Sequence, residues 1–232
     1  MKLTKIYEIK GQMKLISGLH IGAGDTEMHI GGTDNPIIKH PHSQEPYIPG
    51  SSIKGKVRSL LEMKSGLMIQ TGGKPVQASL LKNLQGAQKG EAEKIIKLFG
   101  SGGDAGEEIV KLGPTRASFA DCPLNNDSRT LVREKRLTLT EVKSENSINR
   151  IKGTAENPRF SERVPAGMVF DFSVTLKQLS DEDKELLDYL LAGLKLLTMD
   201  ALGGSGSRGY GRISLTLSDP DMQRKFETVA AF

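Results

Sequence analysis

Two short stretches of this chain carry residue types suited to gripping a polyanion. Residues 202–213 read Leu-Gly-Gly-Ser-Gly-Ser-Arg-Gly-Tyr-Gly-Arg-Ile, with five glycines between Gly203 and Gly211. Glycine lets successive main-chain N–H groups turn toward one partner and form a concave anion site. Arg208 and Arg212 add fixed charge, and Tyr210 adds a flat ring. A phosphodiester backbone suits all three, whereas the plain alternative is a pliant helix-to-strand connection. The second stretch, Pro49-Gly50-Ser51-Ser52-Ile53-Lys54-Gly55-Lys56-Val57-Arg58, opens a helix that Ser51 or Ser52 is placed to cap. Lys54 and Arg58 lie four apart on one face, and a helix start with hydroxyls and cations attracts phosphate oxygens.

A third group lies in the long polar loop between about residues 18 and 47. It holds all four histidines, His20, His29, His40 and His42, together with Asp25, Glu27 and Asp34. His20 suits stacking on, or hydrogen bonding to, RNA; a general-base role is disfavoured because glycines rather than an orienting acid flank it. His40 and His42 resemble a metal pair but lack further ligands nearby, so they read as surface residues.

Two motif spellings do not hold up in context. Gly204-x-Gly206-x-x-Gly209 spells a dinucleotide fingerprint, which must follow a strand and open a helix; here the order is reversed. Gly50-x-x-x-x-Gly55-Lys56 spells most of a P-loop, but Val57 replaces the hydroxyl residue that would hold magnesium.

The elements that must position these residues follow from periodicity. Tyr7, Ile9, Met13 and Leu15 alternate with polar residues as a half-buried strand. Ile53, Val57, Leu60 and Leu61 form a helical stripe. Residues 65–112 read as an insertion, helix-prone over 78–98 but broken by Gly86 and Gly90. Residues 115–122 and 131–140 read as strands, and the polar segment behind them is expected to be ordered only by a partner. Met168, Phe170, Phe172, Val174 and Leu176 mark the clearest strand. Ser180 with Asp183 resembles a capping box before a leucine-striped helix, and residues 211–217 form the last strand. The order strand, helix, strand, strand, helix, strand is that of a ferredoxin-like α+β core, a split βαβ arrangement shared with RRM-like modules.

Bulk properties narrow the class. The 232 residues carry a net charge of +4, and residues 129–163 alone hold nine Lys or Arg against five Glu, so the basic excess sits in one segment. One cysteine, Cys122, excludes an intrachain disulfide and a multi-cysteine zinc site. No apolar run approaches roughly 18 residues and no signal core opens the chain, so a cytoplasmic protein without membrane contact is expected.

Six stretches then point together: Gly18-Leu19-His20-Ile21-Gly22, Asp34-Asn35-Pro36-Ile37-Ile38-Lys39, residues 48–58, Glu141-Val142-Lys143-x-Glu145-Asn146, Pro158-Arg159-x-x-Glu162-Arg163-Val164-Pro165-x-Gly167, and the loop 203–212. In this order they strongly resemble the repeated backbone subunit of type III-A CRISPR effector complexes, the Csm class of RAMP proteins. The resemblance implies a single RAMP domain over residues 1–232, with a helical insertion at 65–112 and a thumb-like hairpin at 141–163. It implies further copies of itself and other Csm subunits as partners, stacked along a CRISPR RNA, with the thumb interrupting guide–target pairing every six nucleotides. Each copy would cut target RNA once, using Mg²⁺ or another divalent cation and an acidic residue that aligns with Asp34. Asp25 and Glu27 are alternative metal ligands. RNA contacts are implied for His20, Ser51, Ser52, Lys54 and Arg58, for Gly203, Gly204, Arg208 and Tyr210, and for Arg150 and Arg159 on the thumb. Zinc, present in the insertions of some relatives, is not expected. The alternative is a catalytically silent RNA-binding scaffold.

Overall fold

The computed structural model describes residues 1–24, 34–102 and 106–232. Its strands are β1 (Lys5–Leu15), β2 (Tyr47–Ile48), β3 (Ala117–Phe119), β4 (Cys122–Pro123), β5 (Glu141–Ile148), β6 (Ala155–Arg163), β7 (Val169–Gln178) and β8 (Ile213–Leu217). Its helices are α1 (Gly50–Lys64), α2 (Leu67–Gln70), α3 (Gly86–Phe99), α4 (Glu107–Leu112), α5 (Asn126–Lys135), α6 (Glu185–Met199) and α7 (Pro220–Thr228).

The period-two pattern of β1 buries Ile9, Met13 and Leu15 and leaves Glu8, Lys10 and Gln12 in water. On one side β1 pairs antiparallel with β7 from Lys5 opposite Gln178 to Lys14 opposite Val169, and on the other with β8 through residues 11–15. With β3 beside β7 the sheet order is β3-β7-β1-β8, all antiparallel, which is the ferredoxin-like arrangement. Phe170, Phe172, Val174 and Leu176 of β7 join the inward residues of β1 and β8 under α1 and α6. Ile53, Val57 and Leu61 of α1 meet Leu187, Leu190, Leu194 and Leu197 of α6 there, and each such side chain contributes roughly 1.5–3 kcal/mol by leaving water.

Several sequence expectations change. Residues 126–135 form a helix rather than the start of a strand, because the Asn125 side chain accepts from the Ser128 amide at 2.8 Å and caps it. Gly90 does not interrupt α3: burial of Ala92, Ile95, Ile96, Leu98 and Phe99 outweighs a glycine cost of about 1 kcal/mol. The strand expected over 115–122 splits into β3 and β4, since Asp121 turns to accept from the Gly50 amide at 2.7 Å. Neither Ser51 nor Ser52 caps α1, whose cap position is Pro49. Ser180 makes no capping bond; Asp183 instead accepts from the Leu179 amide at 2.8 Å and pairs with the buried Arg116 guanidinium at 3.3 Å. The polar segment 141–163 pairs with itself as β5 and β6, so a partner is not needed to order it.

Candidate nucleic-acid interface

The glycine-rich loop closes on itself and docks on the first chain segment after β1. The Leu202 amide donates to Gly211 O at 2.9 Å, the Gly211 amide to Gly18 O at 2.9 Å, and the Gly204 amide to His20 O at 2.9 Å. Gly203 (φ +76°) and Gly211 (φ +71°) occupy backbone conformations that disfavour side chains, and a Cβ on either would overlap a neighbouring carbonyl. The amides of Gly204 and Gly211 are therefore committed within the fold, while those of Gly203 and Ser205 have no backbone partner among the described residues.

Tyr210 departs from its expected role. It is fully buried, with the Lys143 ammonium 4.4 Å and the Arg163 guanidinium 5.0 Å from its ring centroid. Both cations belong to the base of the β5–β6 hairpin, so the ring joins hairpin to loop instead of offering RNA a flat face. Arg208 reaches the same hairpin, 3.0 Å from Glu145, while staying half exposed. Partial desolvation pushes the Glu145 carboxyl up, but hydrogen bonding to Lys143 and the Arg208 charge outweigh it and hold it below the usual carboxylate range. Burial, with the nearby Glu145 charge, pushes the Tyr210 phenol up, and its hydroxyl lacks a well-formed hydrogen bond.

The outer edge of β6 carries the remaining groups. Asp34 is exposed, and its Oδ2 accepts from the Phe160 amide at 3.0 Å. One step along, the Glu162 amide donates to Asn35 O at 3.0 Å, and Glu162 O lies 2.6 Å from Nδ1 of His20. Phe160 and Glu162 are two residues apart on one strand, so the His20 ring and the Asp34 carboxylate are anchored about 7 Å apart along it. The carbonyl partner fixes His20 as the Nδ1–H tautomer. The Glu162 side chain is buried, accepting from the Ile37 amide at 3.0 Å and pairing with Lys39 at 2.6 Å. Desolvation raises its carboxyl, but Lys39, the Ile37 amide and Thr140 together bring it below the ordinary value.

Lys56, on the second turn of α1, pairs at 2.7 Å with Asp200, the residue that ends α6 and leads into the glycine-rich loop. Ser51, Ser52 and Lys54 line the start of α1, and Lys54 has no ion-pair partner among the described residues. Arg58 points inward, bonding Glu62 at 2.8 Å and Val76 O, so it serves the fold and not a phosphate. The Gly50 amide, held by Asp121, is closed to an anion as well. Arg159 is exposed and has no ion-pair partner among the described residues, whereas Arg150 sits at the hairpin tip, about 25 Å from its base by strand rise. Asp25, Glu27 and His29 lie outside the described residues. His40 and His42 stack obliquely with each other, 5.6 Å apart, on a separate loop. Lys143, Glu145, Glu162 and Arg163, which build this centre, escape single-residue reading. Their signal is a charge alternation at every second position, Glu141, Lys143, Glu145 against Arg159 and Arg163, that an antiparallel register turns into cross-strand pairs.

A family model described as the RAMP superfamily matches residues 12–214. The chain is 39% identical over 226 residues to the "CRISPR system Cms endoribonuclease Csm3" of Methanothermobacter thermautotrophicus, covering 92% of this chain and 84% of that protein. It is 34% identical over 215 residues to the protein of the same name from Enterococcus italicus, covering 92% and 91%. Among solved structures it superposes, at a TM-score of 0.55 and 28% identity, on a chain of the Csm3–Csm4 subcomplex of the type III-A CRISPR-Cas interference complex, covering 93% of this chain and 77% of that one.

Proposed function

The chain belongs to the RAMP superfamily, and from that premise we propose that it is the repeated backbone subunit of a type III-A CRISPR interference complex. In this reading it binds CRISPR RNA, stacks with further copies and other Csm subunits, and cleaves complementary target RNA at six-nucleotide intervals. The observation that carries the reading is convergence. The glycine-rich loop, the segment 17–20 and the hairpin base meet in one region, Lys56 ties α1 to the residue leading into that loop, and β6 brings an exposed Asp34 to it. No helix among the described residues is long and apolar enough to cross a membrane.

RNA cleavage requires a 2′-hydroxyl in line with the scissile phosphorus and charge compensation on the phosphoryl oxygens. Ser51, Ser52, Lys54, Gly203 and Arg208 hold the guide backbone. The thumb-like hairpin, with Arg150 near its tip, separates one nucleotide of the target from its neighbours, and Arg159 contacts the RNA backbone along the hairpin's other face. The Phe160 amide fixes one Asp34 oxygen and thereby aims the carboxylate. A single exposed carboxylate fits Mg²⁺ or a similar cation, a hard ion that accepts one or two carboxylates, and Asp34 would hold it. Such a cation would supply charge neutralisation at the phosphoryl group.

The test uses a reconstituted complex loaded with guide RNA. Complementary RNA should give a ladder of products in Mg²⁺ and none in EDTA. Asp34→Ala should bind target as tightly as wild type and yield no ladder. A ladder persisting in that variant removes Asp34 from the mechanism.

A further inference from the structure

Of seven phenylalanines, only Phe160 and the terminal Phe232 are exposed, and the chain has no tryptophan. Phe160 is 44% exposed and is the one large apolar side chain of a strand that otherwise holds Ala155, Pro158 and charged or polar residues. Opposite it on β5 stands Ser144, too small to cover the ring, and no aromatic or cationic side chain lies over it among the described residues. Exposing a phenyl ring forgoes roughly 1–2 kcal/mol of burial. The ring's place is specific. The Asn35–Ser161 pairing sets residues 34 and 160 next to each other, and the Phe160 amide holds Asp34 Oδ2 at 3.0 Å.

A ribose inside an A-form duplex cannot align its 2′-oxygen with the departing 5′-oxygen, so the nucleotide at the cut must leave the stack and expose its base to water. An aromatic face beside the carboxylate would shelter that base. We infer that Phe160 is a stacking platform for the nucleobase adjoining the scissile phosphate, holding the displaced target nucleotide beside Asp34. The inference rests on the proposed function and adds a substrate contact to it: one apolar face that accepts any base.

The test compares Phe160→Leu, which keeps the apolar bulk, with Phe160→Trp, which keeps the aromatic face, in guide-loaded complexes. Targets carry either a normal base or an abasic ribose next to the cut. Single-turnover cleavage of the normal target should slow about tenfold in Phe160→Leu, the size of one lost base–aromatic stack, and return with Phe160→Trp. The abasic target should slow wild type to the rate of Phe160→Leu and slow that variant no further. A 2-aminopurine at the same position should be quenched in wild type and Phe160→Trp and brighter in Phe160→Leu. Equal rates for Phe160→Leu and wild type, additive losses on the abasic target, or a reduced number of subunit copies by native mass in Phe160→Leu each overturn the inference; the last would make the ring a contact between copies. Quenching without any cleavage would instead leave the platform standing and sink the nuclease reading.

Discussion

The Lys143 ammonium lies 4.4 Å from the centroid of the Tyr210 ring, joining the hairpin to the loop that follows α6. These residues are far apart in sequence, and the contact sets the hairpin's angle on the core. With Arg163 also near the ring and Glu141 holding Arg163 at 2.7 Å, the hairpin base is a charged clamp around one aromatic side chain.

Tyr210→Ala should therefore destabilise the fold by roughly 3–5 kcal/mol, as loss of a buried aromatic does, and speed amide exchange across both hairpin strands. Tyr210→Phe keeps the ring and removes a hydroxyl without a well-formed hydrogen bond, so its stability should stay within about 1 kcal/mol of wild type or rise. Thermal unfolding and hydrogen exchange check both; a large loss in Tyr210→Phe would mean that the hydroxyl is bonded.

The two glycines at the loop's start separate conformational need from space. A Cβ at Gly203 would strike His20 O from a left-handed backbone, whereas one at Gly204 would rest 3.5 Å from His20 Cδ2, an ordinary contact. Gly203→Ala should cost roughly 2 kcal/mol or more and weaken guide binding, while Gly204→Ala should change stability by less than about 1 kcal/mol. Equal melting temperatures for the two variants would contradict this docking of the loop.

Lys54 and Arg58 share a helix face in sequence but should part in experiment. Lys54→Ala should leave the melting temperature unchanged and flatten the log–log salt dependence of RNA binding by about one phosphate contact. Arg58→Ala strands Glu62 in a buried site and should cost about 3 kcal/mol with little change in salt slope. A flattened slope in Arg58→Ala at wild-type stability would restore it to the RNA-binding set.

This pair shows what was legible in the sequence. Period-two and helical stripes revealed the four-stranded sheet and its two helices, because burial on one face leaves a local trace in β1, β7 and α6. The Asp34 stretch and the glycine loop were legible as motifs. Direction was not: whether Arg58 faces Glu62 or water depends on Val76, eighteen residues on, and whether Tyr210 meets RNA or Lys143 depends on the hairpin's docking. Likewise the reading of 131–140 as a strand missed that Asn125 caps a helix over Asn126–Lys135.

Glu162 offers the last prediction. Its backbone holds His20 and Asn35, and its buried carboxylate holds Ile37 and Lys39, so one residue pins the segment carrying Asp34 to the hairpin. Desolvation opposes ionisation, but Lys39, the Ile37 amide and Thr140 prevail, and the carboxyl titrates below the ordinary glutamate value of 4.5. A group whose folded value is depressed stabilises the fold fully above its unfolded value and loses that stabilisation as pH falls through the folded one. Glu162→Gln should therefore be less stable than wild type at pH 7, by roughly 1–2 kcal/mol. The gap between the two should begin to close as pH drops below 4.5 and be gone once pH lies below the folded carboxyl's own, lower value, where it is neutral like the amide. Comparing their unfolding midpoints from pH 7 to pH 3 isolates this group, since every other carboxylate is common to both proteins. A gap that stays constant across that range would show that the Glu162 charge does not hold the segment in place.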